Sequence, residues 1–326
     1  MSELKTNQIA TNDGNNVAID NSLNLKSYTT TARNALTSVA GDIIYNSTES
    51  KPQFYNGSSW IDTGAISPFS VEYVVIAGGG GGANSGGGAG GYRSNVSGEN
   101  SGGGASAETS MSLGGNINYT VTVGGGGSAG ANNGSGVTDG NDSQFQGVVS
   151  YGGGKGAGVN NEGNIGGSGS GGAHVGGGGT RDGMFGVPNQ GFKGGQKTGD
   201  TSPFVGAGGG GAGGNGANGT GSGSAGGNGV SSSITGSSVA RAGGGGTNNA
   251  SVVGGGGNGS TDATANTGGG GGNHRSGGSG VVIVRWATAD ATIGATRTGL
   301  TDGGVQTDGS DSYIVFTAGT GTITFS

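Results

Sequence analysis

The chain has 326 residues, 89 of them glycine, and only 29% are hydrophobic. Glycine makes up about 27% of the chain against roughly 7% in average proteins, and the hydrophobic share is below the usual range of about 45–50%, which excludes a conventional hydrophobic core through the whole chain. The net charge of −6 without a basic stripe gives no electrostatic footprint for nucleic acid, and the lack of cysteine excludes disulfides and thiolate metal sites.

Residues 1–70 predict short strands joined by turns, and we interpret them as an N-terminal attachment segment. Apolar and polar residues alternate along 17–25, which is strand periodicity. Ile43–Asn46 and Gln53–Tyr55 predict a hairpin, and Asn56-Gly57 is a strong turn signal after it. The N-terminus is polar and lacks the apolar region of a signal peptide, so we expect synthesis in the cytoplasm without secretion or membrane insertion.

Residues 71–286 hold most of the glycine and are bounded by two β-branched strands. The first strand is predicted at Val71–Ala77 and the last at Gly280–Trp286. Three further strand-like stretches lie between them, and each runs into glycine: Asn116–Val123, Gln144–Tyr151 and Ser232–Ala240. We therefore expect strands that clasp a glycine-rich domain at its base.

Residues 287–326 predict a C-terminal β-hairpin. Tyr313 and Val315 alternate with polar residues before the expected turn at Ala318–Gly321, and the same alternation resumes after it. Amphipathic patterns of helix length are missing from the sequence. The chain is therefore predicted to be all-β apart from its glycine runs.

Runs of glycine recur throughout the middle segment, at 78–82, 124–127, 152–154, 176–179, 208–211, 243–246, 254–257 and 268–272. Such sequence usually forms a flexible linker, but strand-like segments punctuate these runs, which a linker does not need. Collagen requires strict Gly-X-Y repeats and abundant proline, whereas this chain has consecutive glycines and only 4 prolines.

The remaining interpretation is a bundle of polyglycine II helices, which have three residues per turn, φ of about −75° and no internal hydrogen bonds. Glycine lets neighbouring helices approach closely enough for backbone groups to pair on several sides. Ordering a residue costs about 1–2 kcal/mol while a hydrogen bond returns about 0.5–1.5 kcal/mol, so only many packed helices are stable. The predicted fold class is all-β with a polyglycine II helix bundle, clasped by strands and flanked by the N-terminal segment and C-terminal hairpin.

Several stretches resemble glycine-rich tail-fibre proteins of tailed bacteriophages. They are VEYVVIAGGGGGANSGGGAGGYR, NYTVTVGGGG, SSITGSSVARAGGGG and GGSGVVIVRW, in that order. SELKTNQIATNDGNNVAID and GDIIYNSTESKPQFYNGSSW resemble fibre segments of phages that infect marine bacteria. The resemblance implies a homotrimeric fibre in the virion, joined to other tail proteins through its N-terminal segment. It also implies a distal glycine-rich adhesin for a host outer-membrane protein or surface glycan.

The sequence predicts no catalytic residues, metal ligands or cofactors, and we expect no enzymatic activity. A phosphate-binding loop would end in Gly-Lys-Ser/Thr, and neither Lys155 nor Lys197 stands in that context. Asp302, Asp308 and Asp311 are interpreted as turn carboxylates, with calcium ligation left open as the alternative. A glycine-rich nucleotide-binding motif is not evidence of nucleotide binding here, because it occurs by chance in a chain with 89 glycines.

The predicted receptor-binding segment is Thr180–Val205, the longest interruption of the glycine-rich domain. Aromatic and arginine side chains dominate binding hot spots, and the alternative is that the aromatic rings cover the side of the bundle. Asn273-His274-Arg275 and Thr247–Val253 are secondary candidates, and Tyr92-Arg93 is interpreted as structural. The candidate residues are Arg181, Phe185, Phe192, Lys193, Lys197, Phe204, His274 and Arg275.

The sequence leaves three functions open. The first is host recognition by a phage adhesin, and the second is a structural virion appendage without receptor contact. The third is ice binding, which requires a regular array of Thr or Ala on one face. The irregular insertions between the glycine runs argue against ice binding.

Overall fold

The computed structural model describes residues 24–63, 68–176, 179–199, 204–219, 223–248, 250 and 252–326. Most of the strand predicted along 17–25 lies outside the described residues, as do parts of the 176–179 run and of the two candidate segments Thr180–Val205 and Thr247–Val253. The chain forms two compact units, Met1–Ala65 and Ile66–Ser326.

The first unit contains a four-stranded sheet with strands in chain order. The elements are β1 Ser27–Tyr28, α1 Thr30–Asn34, β2 Ile43–Asn46, β3 Lys51–Tyr55 and β4 Trp60–Asp62. The predicted hairpin is confirmed by the antiparallel pairing of β2 with β3. The short helix α1 was not predicted, because none of its five residues is buried and it therefore has no apolar face.

The core of the first unit is partly polar. Asn46 and Gln53 are buried, and Asn46 Nδ2 donates to Gln53 Oε1 over 3.1 Å. Gln53 also donates to Asp62 Oδ1, 2.6 Å away, and accepts from Arg33. The hydrogen bond from Gln53 is the main reason why the pKa of Asp62 is lowered. The sheet is therefore held on this side by a hydrogen-bonded network as much as by apolar packing.

The second unit is built on a nine-stranded sheet and a separate hairpin. Its strands are β5 Phe69–Ile76, β6 Tyr92–Ser94, β7 Met111–Leu113, β8 Tyr119–Val123, β9 Ser143–Phe145, β10 Val148–Ser150, β11 Val230–Ser232, β12 Val239–Arg241, β13 Val281–Ala287, β14 Leu300–Asp308 and β15 Asp311–Ile323. A 3-10 turn covers Gly102–Gly104. The strands predicted at both borders of the glycine-rich segment correspond to β5 and β13, and these pair with each other.

The nine-stranded sheet is nearly closed. The main path runs β10-β9-β8-β15-β13-β5-β6, with β7 paired to β5 and β14 to β15. The two ends of the path approach each other, since Ser150 Oγ donates to Val75 O over 2.8 Å. One face holds a core cluster that includes Val121, Phe145 and Phe316, while the other packs against residues of the glycine-rich region such as Ala89.

The predicted turn at Ala318–Gly321 is wrong. Strand β15 runs without interruption from Asp311 to Ile323, pairing first with β13 and then with β8. Gly319, at φ +95°, absorbs the change of partner within the strand. The hairpin is instead formed by β14 and β15, which pair Asp308 with Asp311 at the turn.

The glycine-rich region forms a lattice of backbone hydrogen bonds with a period of three residues. Along 78–83, amides three residues apart donate to the same neighbouring segment, and the segments are 138–141, 275–278 and 85–88. The carbonyls of 78–83 accept in the same way from 153–156, 127–130 and 271–274. This segment therefore has six hydrogen-bonded neighbours, which a helix of three residues per turn without internal hydrogen bonds allows.

The second central segment, 86–91, repeats the pattern. Its amides donate with a period of three to 207–210, 268–271 and 151–154. The all-β class with a glycine-rich domain is thus confirmed, and the described residues contain no α-helical bundle. Among the described residues of the runs, Gly254, Gly255 and Gly268 depart from the expected negative φ, at +85°, +81° and +68°. They stand at the start of their runs, where the chain turns into the lattice.

Side chains are excluded from most of this lattice. A Cβ on Gly79 would lie 2.0 Å from Gly269 O, and one on Gly82 would lie 1.8 Å from Gly272 O. Contacts that short do not occur, so the backbones approach each other only because these residues are glycine. The runs are therefore a packing requirement as well as a source of backbone freedom.

Candidate functional site

The strands of the sheet place the ends of the glycine helices. β5 ends at Ile76 just before one central segment, and β6 begins at Tyr92 just after the other. β8 and β13 border glycine segments at the same level of the sheet. Turns that connect the helices at the opposite end therefore come together on one surface, which we call the distal face. Its described turns are 83–85, 130–136, 158–161, 173–176, 247–248 and 273–275.

Hydrogen bonds show that these turns are neighbours. Gly130 N donates to Gly82 O over 2.9 Å, and Ser85 N donates to Ala157 O over 3.1 Å. His274 N donates to Ala83 O over 3.0 Å. Backbone pairing thus ties the turns of the distal face to the first central turn of the lattice.

Asn84 is the hub of the distal face. It is buried, and its Nδ2 donates to Asn132 Oδ1 and to Phe204 O, each over 2.9 Å. Its Oδ1 accepts from His174 N, also over 2.9 Å. One amide side chain therefore holds three other turns, a role that its position inside Ala83-Asn84-Ser85 could have suggested but that we did not predict.

Ser85 and Thr247 support the same surface. Ser85 Oγ donates to Gly171 O over 2.7 Å and accepts from Ala157 N over 2.8 Å. Thr247 Oγ1 accepts from Ser224 N over 2.9 Å. These buried hydroxyl groups act inside the turns, so Thr247, which belongs to a secondary candidate segment, supports the surface from within.

The outer side of the distal face presents amide and aromatic groups. Asn132, Asn133 and Asn160 are exposed. Phe204 is 52% exposed, and its ring centroid lies 5.0 Å from that of His174. The distal face therefore combines hydrogen-bonding side chains with an exposed aromatic ring on a backbone that the lattice holds in place.

The candidate residues fall into separate groups. Phe185 is 67% exposed, and Lys193 Nζ lies 5.1 Å from its ring centroid and 3.7 Å from Asp182 Oδ1. Arg181 pairs through its backbone with Lys197, whose side chain is fully buried. Lys197 is thus not an exposed side chain, and within this pair only the side chain of Arg181 reaches solvent, at 18% exposure.

The other candidates lie elsewhere. Phe192 lines a cavity of about 440 Å³ together with Glu99, Ser101 and Ala212. Phe204 and the exposed His274 belong to the distal face, and His274 Nδ1 lies 3.0 Å from Gly130 O. Arg275 Nε donates to Gly259 O over 3.4 Å. Thr180–Val205 therefore does not form one continuous patch in its described part.

The Tyr92-Arg93 pair is used structurally. Tyr92 is fully buried, pairs with Ile76, and its pKa is raised chiefly by burial. Arg93 forms a two-pronged ion pair with Glu108, at 2.6 and 2.8 Å, and this hydrogen bonding raises the pKa of Arg93. Arg93 and Glu108 form part of the wall of a cavity of about 760 Å³, together with Tyr73, whose hydroxyl donates to Glu108.

Asp302 forms an ion pair with Arg297. Arg297 donates to both of its carboxylate oxygens, at 2.9 and 3.1 Å, and this is the main reason why the pKa of Asp302 is lowered. Asp311 lies 3.9 Å from Arg285. The described residues show no group of three or more acidic, histidine or cysteine side chains arranged to hold a metal ion.

Within the described part of the chain, no helix is both long and apolar enough to cross a membrane. Comparisons with curated proteins and with solved structures gave no match. The family model described as "Glycine-rich domain" matches residues 58–287, which covers the lattice and the strands at both of its borders. The chain is therefore a member of this glycine-rich domain family.

Proposed function

We propose that the protein is a bacteriophage tail-fibre adhesin whose distal face binds a receptor on the host-cell surface. The observation that supports this most is the separation of roles in the second unit. The lattice offers only repeated backbone, whereas the distal face gathers turns with varied polar and aromatic side chains. Binding residues commonly lie on loops that a rigid scaffold positions.

A rigid scaffold favours binding over a passive spacer. Asn84 links turns that are far apart in sequence, so the exposed side chains around it are held in place before any partner arrives. Such preorganisation reduces the entropy lost on binding. We propose an outer-membrane protein or a surface glycan as the receptor, with the virion as the protein's location.

Assembly through the first unit is part of the proposal. One face of its sheet carries Ile43, which is 53% exposed, and Ile61, which is 40% exposed, on either side of Phe54. Tyr45 lies on the same face and is 36% exposed. Contiguous exposed apolar groups indicate a protein partner, and we propose that this face joins three copies and that the segment attaches to other tail proteins.

The direct test is competition for adsorption. Purified protein should block adsorption of the phage to its host, and a Phe185→Ala, Phe192→Ala, Lys193→Ala triple variant tests the predicted segment. A hot-spot truncation costs about 2 kcal/mol or more, so the triple variant should bind cells roughly thirtyfold more weakly. Circular dichroism and melting would confirm its fold.

Two results would change the proposal. A folded triple variant with unchanged cell binding would exclude these three side chains and leave the contact to the distal face, at His274 and Arg275 or at Thr247–Val253. Wild-type protein that neither binds host cells nor blocks adsorption would instead favour a structural virion appendage.

A further inference from the structure

Two basic side chains lie side by side near the distal face. Arg181 N donates to Lys197 O over 2.9 Å and Lys197 N donates to Arg181 O over 2.8 Å, so the two residues form a hydrogen-bonded antiparallel pair. Side chains of residues paired in this way lie on the same face. Like charges placed directly opposite each other are destabilising, so this arrangement needs compensation.

Compensation is incomplete among the described residues. Lys197 is fully buried, and neither its Nζ nor Arg181 Nε has a hydrogen-bond partner in that part of the chain. The nearest acidic side chain in an ion pair is Glu162, 3.8 Å from Arg181 Nη1 and itself 74% exposed. An exposed carboxylate at that distance contributes little, and the described residues give the buried side chain of Lys197 no ion-pair partner.

The position of Lys197 is built into the lattice. The backbone of Lys197 forms a parallel β-bridge with Gly219, and a Cβ on Gly219 would lie 2.8 Å from Lys197 Cδ. The lysine stem therefore occupies a slot that only a glycine neighbour leaves open. The side chain of Arg181 keeps 18% of its surface exposed, so this basic pair borders solvent on the arginine side.

We propose that Arg181 and Lys197 form a binding site for an oxyanion, a carboxylate or phosphate group carried by the receptor. Arginine offers a planar fork of donors and lysine a compact positive charge, and both suit such groups. An anion that approaches from the solvent-exposed arginine side would offset the repulsion between the two cations. The assignment to a receptor rests on the proposed function, whereas the anion site itself does not.

The test is the melting temperature of the full-length protein in sodium phosphate, sodium acetate or sodium chloride at equal ionic strength. A ligand that binds only the folded state raises the melting temperature. Phosphate or acetate should raise it by about 2 °C or more over chloride, a change that is easily measured for a unit of this size. Phosphate also stabilises folded proteins in general, so the anion whose effect depends more on Arg181 and Lys197 indicates whether the receptor group is a phosphate or a carboxylate.

Lys197→Met and Arg181→Gln should each remove the site-specific part of that rise and leave only the general salt effect, and Arg181→Gln serves as the second variant if Lys197→Met does not fold. Lys155→Met, another lysine of the glycine-rich domain, should retain the full rise. Wild-type protein with the same melting temperature in all three salts would overturn the proposal, as would an undiminished rise in both site variants.

Competition on cells separates this inference from the proposed function. If phosphate or acetate weakens binding of the wild type to host cells more than chloride does, the anion site is part of the receptor contact. A wild type that gains stability from the anion but binds no cells would retain the site and reject the adhesin proposal. Cell binding that is insensitive to both anions would overturn the link between the site and the receptor.

Discussion

A single methyl group at Gly79 should disrupt the glycine lattice. In Gly79→Ala the new Cβ would lie 2.0 Å from Gly269 O, a carbonyl that accepts from Gly278 N over 2.8 Å. Gly79 itself donates to Gly278 O and accepts from Gly127 N, at 3.0 and 2.8 Å. Relieving the clash must therefore move a backbone segment and weaken three hydrogen bonds.

The size of the effect follows from these contacts. Three weakened hydrogen bonds cost about 1.5–4.5 kcal/mol at 0.5–1.5 each, and overpacking adds about 1–3 kcal/mol. Replacing glycine by alanine also restricts the unfolded chain, and this stabilises the protein by about 0.4–1 kcal/mol, which offsets part of the loss. We expect a net loss of about 1.5–7 kcal/mol in the free energy of unfolding, centred near 4 kcal/mol, and a melting temperature lower by roughly 10 °C.

Gly125→Ala is the matched control. Gly125 also belongs to a glycine run, but the nearest atom to a Cβ there is Asn141 Nδ2, at 3.9 Å. Calorimetry or circular dichroism should show Gly125→Ala melting within about 2 °C of wild type. Equal melting temperatures for Gly79→Ala and Gly125→Ala would refute the close-packed lattice.

Three further predictions concern the turns, the C-terminal strands and assembly. Asn84→Ala should lower the free energy of unfolding by about 2–4 kcal/mol in denaturant titrations, because it removes three hydrogen bonds at a buried position. The pKa of Asp302 is lowered in the folded state, so its contribution to stability is present above the unfolded pKa and is lost as pH falls through the folded value. Melting measured between pH 6 and pH 2 should therefore show a smaller acid-induced loss of stability in Arg297→Gln than in wild type. Ile43→Glu should convert the proposed homotrimer to monomers in light scattering, because it places charge on the exposed apolar face of the first unit.

Each of these predictions has a contradictory outcome. Asn84→Ala with wild-type stability would show that the amide does not hold the turns together. An unchanged pH profile in Arg297→Gln would show that the ion pair is not the source of the lowered pKa. A monomeric wild type would reject the trimer, and Ser58→Glu, at an exposed polar position of the same unit, controls for added charge.

The strands were predictable because their signal is local. The β-branched stretches at 71–77 and 280–286 need burial on both faces, and the structure buries β5 and β13 in the middle of the sheet. The turn at 318–321 was mispredicted because glycine is typical of turns, and the sequence alone does not distinguish a turn glycine from one within a strand. Gly319 in fact bends a strand that pairs with the adjacent β14 on one side and changes partner from β13 to the distant β8 on the other.

The candidate surface was only partly predictable. Aromatic and basic residues could be found by composition, which singled out Phe185 and Phe204, and both are exposed. Composition could not predict the burial of Lys197, because the space for its side chain depends on Gly219. No local sequence pattern links these two residues. The role of Asn84 depends equally on turns that only the folded lattice brings together.

Hydrogen exchange of the protein on host outer-membrane vesicles would test the distal face most directly. Binding through that face predicts added protection of amides in the turns 130–136, 158–161 and 273–275, with unchanged exchange in β14 and β15. Protection confined to the sheet or to the first unit, with the distal turns exchanging as in free protein, would contradict the proposed orientation and function.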